Sequence, residues 1–166
     1  AGAVLGKQTV INYVGYMMDS YMLFTLQNYA AKLVEKETSP KYYFMDTGLL
    51  GLMLMDCSSA QLENLVAIEL IRRYGRENVF YFEKNVEIDF YVPEEKLAIQ
   101  VSLQVLDQID TREREIGAFV KLKNFIGDAT CLLITNSEEE ELDYEGVHVS
   151  VVPVWKWLLQ NRKQDI

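Results

Sequence analysis

Cysteine, histidine, proline and positive charge are all scarce in this chain of 166 residues. The two cysteines, Cys57 and Cys131, are too few for a disulfide scaffold, and free thiols fit a cytoplasmic protein better. Cys131 lies in Thr130-Cys131-Leu132-Leu133-Ile134 and reads as a small buried hydrophobe. His148 is the single histidine. It alternates with Ser150 and Val152 and reads as a solvated strand position, so neither a zinc site nor a Ser–His–acid triad has its parts. Sixteen Lys and Arg against 25 Asp and Glu give a net charge of −9. Affinity for nucleic acid rests on neutralising phosphates with cations, so a generic phosphate-binding surface is disfavoured and only a local basic patch could serve. No apolar run approaches the roughly 20 residues that span a bilayer, so no membrane association is expected. The start has no basic region followed by an apolar core, so no signal peptide is expected either. A first residue of alanine suggests a piece of a longer protein.

What is present is a hydrophobic content of 49%, ample for one folded domain with or without a small appendage. In residues 9–21, Val10, Tyr13, Val14, Met17, Met18 and Tyr21 recur at helical spacing, with Thr9 as the expected N-cap. A small hairpin is expected next, formed by residues 22–26 and the segment from Gln27. Residues 32–39 are polar and read as a linker. Lys41-Tyr42-Tyr43-Phe44 reads as a strand that turns at Gly48. Residues 61–74 predict a helix that carries Glu63 on the same face as Val66, Ala67, Leu70, Ile71 and Tyr74. A carboxylate on an apolar face needs a metal, a hydrogen-bond partner or a rim position. Residues 78–82 predict a strand, 111–125 a helix, and 129–135 a strand buried on both faces. Glu138-Glu139-Glu140-Glu141 reads as a solvated acidic loop. Residues 147–152 form the last expected strand, and Pro153 opens a final helix containing Trp155 and Trp157. Repeats and low-complexity segments are absent.

Residues 86–103 carry the most information. Val86, Ile88, Phe90 and Val92 alternate with Glu87, Asp89 and Tyr91, and Leu97, Ile99, Val101 and Leu103 alternate with Ala98, Gln100 and Ser102. Strand side chains change face at each residue, so two strands are expected around a turn at Pro93-Glu94-Glu95-Lys96. If Val92 pairs with Leu97, then Asp89 faces Gln100 and Glu87 faces Ser102 on one sheet face. Glu63 can join this group. Carboxylates gathered at a sheet edge are what a hard cation such as Mg²⁺ requires, and phosphodiester hydrolysis uses such an ion to clamp phosphate and activate water.

Asp89, the Gln100-Val101-Ser102 strand and the upstream helix with Glu63 together resemble the restriction-endonuclease-like nuclease fold. The match is closer still to the C-terminal domain of prokaryotic AAA+ ATPases that couple an ATPase, a winged helix and a nuclease-like module. Lys41-Tyr42-Tyr43-Phe44-Met45-Asp46-Thr47-Gly48, Leu62-Glu63-Asn64, Glu87-Ile88-Asp89-Phe90 and Pro153-Val154-Trp155-Lys156-Trp157-Leu158-Leu159 look like motifs of that family. The resemblance implies an α/β fold, with a restriction-endonuclease-like mixed sheet flanked by helices over residues 39–166. It implies a partial winged-helix segment and linker over residues 1–38.

In the resemblance's terms the active pattern has Glu and Lys where this chain has Gln100 and Ser102. A neutral amide weakens a metal site, and serine cannot replace an ammonium. Glu63 and Asp89 are left as the candidate metal ligands of a vestigial site comprising Glu63, Asp89, Gln100 and Ser102. The expectation is a non-catalytic module that binds DNA or a protein partner for an ATPase, with no cofactor of its own. ATP binding would belong to a module upstream, because Gly2-Ala3-Val4-Leu5-Gly6-Lys7-Gln8-Thr9 lacks P-loop spacing and a preceding strand. The alternative is a Mg²⁺-dependent nuclease with a rearranged site, with Glu87 or Lys84 moving in. Candidate nucleic-acid contacts are Lys7, Gln8 and Asn12 off the apolar stripe, and Arg112 and Arg114 on the third helix near Lys121 and Lys123. Glu113 and Glu115 interleave with those arginines, so an ordinary surface ion network competes with that reading. The apolar stripe needs cover, from a homo-oligomer or from the body of the domain.

Overall fold

The alternation of apolar residues along the strands is realised in a computed structural model that describes residues 6–31, 39–53, 58–106 and 109–160. Among the described residues eight strands form one mixed sheet: β1 (Leu23–Asn28), β2 (Lys41–Phe44), β3 (Phe80–Glu83), β4 (Glu87–Val92), β5 (Leu97–Val101), β6 (Thr130–Thr135), β7 (Glu140–Tyr144) and β8 (Val147–Pro153). Their spatial order is β2-β1-β3-β4-β5-β6-β8-β7. The helices are α1 (Lys7–Asp19), α2 (Gly48–Met53), α3 (Ser58–Tyr74), α4 (Ile109–Ile126) and α5 (Val154–Leu159). Cys57, residues 2–5 of the glycine-containing start and residues 32–38 of the expected linker lie outside the described residues.

The sheet is covered on both sides. Ile116, Phe119 and Leu122 of α4 pack with Ile88, Tyr91, Cys131, Leu133, Val149 and Val151 on one face. Val66, Ala67 and Leu70 of α3 and Trp157 of α5 pack with Phe90, Val92, Ile99 and Ile134 on the other. Strand β6 therefore buries side chains on both faces, as its unbroken apolar run required. Burial of this kind is worth roughly 1.5–3 kcal/mol per large aliphatic side chain.

The central hairpin has the expected register, with Val92 opposite Leu97 and Phe90 opposite Ile99. Strict alternation along β4 does not hold. The β3–β4 register shifts between Phe80 and Phe82, so Phe80 faces Tyr91 while Phe82 faces Ile88. Asp89 and Phe90 thus stand opposite one residue, Tyr81, which is a β-bulge. It sends Ile88 to the α4 side and Phe90 and Val92 to the α3 side. The bulge falls at the aspartate of the expected site and re-aims it.

Other elements differ from expectation for local reasons. β1 pairs antiparallel with β2, Leu23 against Phe44, rather than with the segment directly after Gln27. Its last residues, Gln27 and Asn28, pair in parallel with β3. A division after residue 38 would therefore separate two strands that pair with each other. Thr9 lies inside α1, whose N-cap is Gly6 without a side-chain bond. The short helix α2 is an addition, opened by the Asp46 carboxylate accepting the Gly48 N–H at 2.8 Å. The acidic run is only half loop: Glu138, half-buried, and Glu139 precede edge strand β7, which takes in Glu140 and Glu141 and is pinned by buried Leu142 among exposed acids. Charge along an edge discourages further strand pairing.

No residue of α1 is buried. Val14, Met17 and Met18 are half-covered, whereas Val10, Tyr13, Tyr16 and Tyr21 remain largely exposed. The body of the domain therefore does not bury the stripe. Among the described residues no helix is long and apolar enough to cross a membrane.

Candidate functional site

A cleft of about 510 Å³ opens between the N-terminal part of α3, the splayed end of β4 and β5, and α4. Glu63, Glu87, Asp89, Gln100 and Ser102 line it, together with Lys41, Arg114, Glu115 and Lys121. The fold thus brings together all four residues of the expected site.

Its construction begins at β2. Asn64 is almost fully buried on α3, and its side-chain amide holds both backbone groups of Phe44. The Asn64 oxygen accepts the Phe44 N–H at 2.7 Å, and its Nδ2 donates to the Phe44 carbonyl at 2.9 Å. This fixes the edge strand against the helix. Lys41 and Tyr43, two residues apart on β2, then point the same way. The Tyr43 hydroxyl donates to Glu63 Oε1 at 2.8 Å. The Lys41 ammonium sits 2.7 Å from Glu87 Oε1 and 3.8 Å from Asp89 Oδ1, with the Tyr81 ring 5.4 Å away.

Gln100 does different work from a ligand. Its Oε1 accepts the Asp89 N–H at 2.9 Å, and its Nε2 donates to the Glu87 carbonyl at 3.2 Å. The side-chain amide thereby replaces ladder bonds at the end of the β4–β5 pairing. Asp89 completes this junction, with Oδ2 accepting the Val101 N–H at 2.8 Å. Ser102 lies just past β5; its backbone N–H donates to the Ile134 carbonyl and its hydroxyl to the Gln104 carbonyl.

Burial, then the nearby Glu63 carboxylate, push the Asp89 pKa up to about 7, against the opposing pull of Lys41 and the Val101 N–H. Burial alone would lower the Lys41 pKa, but Glu87, Asp89 and Glu63 together outweigh it and the net shift is upward. Tyr43 is raised well above its ordinary value by burial first and Glu63 second, so it remains a proton donor. Among the described residues, no three His, Cys, Asp or Glu side chains are grouped so that they could hold a metal ion.

Residues 2–60 match the model of a domain of unknown function, DUF8612. The chain is 32% identical over 165 residues to the uncharacterized protein MJ1544 of Methanocaldococcus jannaschii, a match covering 93% of this chain and 37% of that protein. The chain therefore spans a little over a third of the length of the curated relative it matches. No solved structure matches it.

The remaining expected contacts scatter. Gln8 donates to Asn12 at 3.1 Å on exposed α1, away from the cleft, and Lys7 lies on the same helix. Arg114 reaches the cleft rim but pairs with buried Glu115, and Arg112 is absent from the lining. Lys123 pairs with Asp128 at 2.9 Å. Lys84 lies over the Phe125 ring at 5.2 Å rather than in the cleft. His148 is exposed, as expected, between Glu141 and Asp143 on the outer strands. Lys41 and Tyr43 went unrecognised as cleft residues. The signals were their shared parity in Lys41-Tyr42-Tyr43 and their place in one of the motifs that carry the resemblance.

Proposed function

We propose that this chain is a degenerate, non-catalytic nuclease-like module that docks a partner for an attached AAA+ ATPase. The order α3-β3-β4-β5-α4-β6, with its antiparallel meander followed by a parallel strand, supports a restriction-endonuclease-like ancestry. Helix α1 with the β1–β2 hairpin suits the end of a winged helix. A relative much longer than this chain leaves room for an ATPase module, where ATP would bind.

The observation that carries the non-catalytic reading is the use made of Gln100. Both of its polar atoms are committed to the backbone of β4. The Mg²⁺ that a nuclease-like fold implies does not fit the residues present: the Gln100 oxygen is occupied, no lysine stands at Ser102, and Lys41 already neutralises Glu87. The cleft carries Glu63, Glu87, Asp89 and Glu115 against Lys41, Arg114 and Lys121, and two of those cations are already paired with Glu87 and Glu115, which favours a protein partner over DNA.

A second reading, a rearranged nuclease, draws support from Lys41, a cation supplied from a strand other than the expected one. The test is incubation with supercoiled and branched DNA and Mg²⁺ or Mn²⁺. Cleavage that Asp89→Ala abolishes would overturn the non-catalytic reading. A salt-sensitive gel shift without cleavage would make DNA the docked partner, and no shift at low salt leaves a protein partner or a purely structural role. A homo-oligomer through the exposed α1 stripe is checked by sedimentation, where a monomer at all concentrations removes it.

A further inference from the structure

We propose that Lys41 is the resident cation of the cleft, an ammonium that takes the place a divalent ion has in nuclease-like sites and keeps such ions out. The inference rests on the non-catalytic reading and deepens it. Each carboxylate at the back of the cleft already has a donor from the protein. Glu63 has the Tyr43 hydroxyl, Glu87 has the Lys41 ammonium, and Asp89 has the Val101 N–H with Lys41 nearby. Among the described residues no buried side-chain nitrogen or oxygen lacks a partner, and the exposed Glu87 is met by Lys41.

The ammonium is held by construction rather than by chance. Asn64 clamps both backbone groups of Phe44, three residues along the same four-residue strand. The Lys41 side chain is only 26% exposed. The surrounding carboxylates keep it protonated despite burial. An ammonium offers three donors and one charge, and its desolvation is met once, on folding, whereas Mg²⁺ would have to give up waters that it sheds reluctantly. Any divalent ion approaching Glu87 and Asp89 would meet that charge at close range in a partly dry site, where repulsion is weakly screened. Strand β2 thus delivers from the sheet edge the positive charge that Ser102 cannot supply.

The experiment is thermal unfolding of the whole chain and of Lys41→Met, above neutral pH, with and without millimolar Mn²⁺ and with NaCl at matched ionic strength. The wild type is expected to ignore Mn²⁺. Lys41→Met is expected to melt lower and to regain a few degrees with Mn²⁺, and adding Asp89→Asn is expected to abolish that gain. A wild-type melting temperature raised by Mn²⁺ as much as the variant's would overturn the proposal, as would a folded Lys41→Met blind to the ion. Should the variant not fold, Mn²⁺ broadening of wild-type amide signals decides. Selective loss of Glu87 and Asp89 signals refutes the exclusion, and their retention supports it. Cleavage of DNA by the wild type would defeat the non-catalytic reading itself, whereas failure of the Mn²⁺ rescue alone removes only the role given to Lys41.

Discussion

Replacing Gln100 by glutamate keeps the size and shape of the side chain and changes only one donor and the charge. It is also the residue that the nuclease pattern would place there, so the result bears directly on why this chain departs from that pattern. Gln100 is 5% exposed. In Gln100→Glu the carboxylate can still accept the Asp89 N–H, but the donor to the Glu87 carbonyl disappears and two oxygens face each other. An unsatisfied buried acceptor costs about 1–3 kcal/mol. The new charge also lies near Asp89, whose own pKa has already been driven up to about 7. If the new carboxyl is raised by about two units, that adds roughly 2.7 kcal/mol once it ionises. Taking the low end of the first contribution, the total is about 4 kcal/mol above neutral pH. A carboxyl raised on folding favours the folded state while protonated, so the loss should fade as pH falls towards the unfolded value of about 4.3. A protonated carboxyl can also donate again to the Glu87 carbonyl. Urea unfolding followed by the fluorescence of buried Trp157 reads this. With a slope of about 2 kcal/mol per molar urea, the variant's midpoint should fall by about 2 M at about pH 8 and much less at about pH 5. Equal midpoints for variant and wild type at the higher pH would refute the two-way bridge assigned to Gln100.

Asp89 makes the wild type itself pH-dependent. Because its folded pKa lies near 7, above the unfolded value of about 3.9, the protonated form is favoured by folding. Stability is then fully present below about pH 4 and declines as pH rises through 7, by at most about 4 kcal/mol from this group. Asp89→Asn should flatten that slope in melting temperature against pH, and a wild type more stable at pH 8 than at pH 5 would contradict it. Asn64→Ala removes both bonds that hold Phe44 and should cost roughly 2–4 kcal/mol in urea unfolding. Amide exchange should quicken first along β2. Glu138→Ala removes the carboxylate that accepts the Val105 and Leu106 N–H groups at 2.6 and 3.1 Å. A loss of about 2 kcal/mol is expected, with faster exchange at those two amides as the local check.

Periodicity by itself determined much of this protein. The stripe in α1, the apolar face of α3, the doubly apolar run of β6, the helix after Pro153 and the pairing of Val92 with Leu97 all follow from which residues must leave water together. The hairpin register placed Asp89, Gln100 and Ser102 together, and the resemblance to the nuclease fold added Glu63; all four line one cleft. Tertiary structure alone decided what they do there. The bulge at Asp89 is set by the shifted pairing with β3 around Tyr81, which the alternation along β4 does not encode. Strand β7 has one buried residue, Leu142, and its pairing with β8 rather than its own pattern makes it a strand. Whether α1 is covered depends on neighbours rather than on its own spacing. Lys41 lies 46 residues before Glu87 and 48 before Asp89, and an ion pair leaves no periodic trace in a sequence. Gln100 looked like a lost ligand because an amide's chemistry is legible from its name. That its two ends are occupied by the backbone of β4 depends on how the strands splay, and this is settled only when the chain has folded.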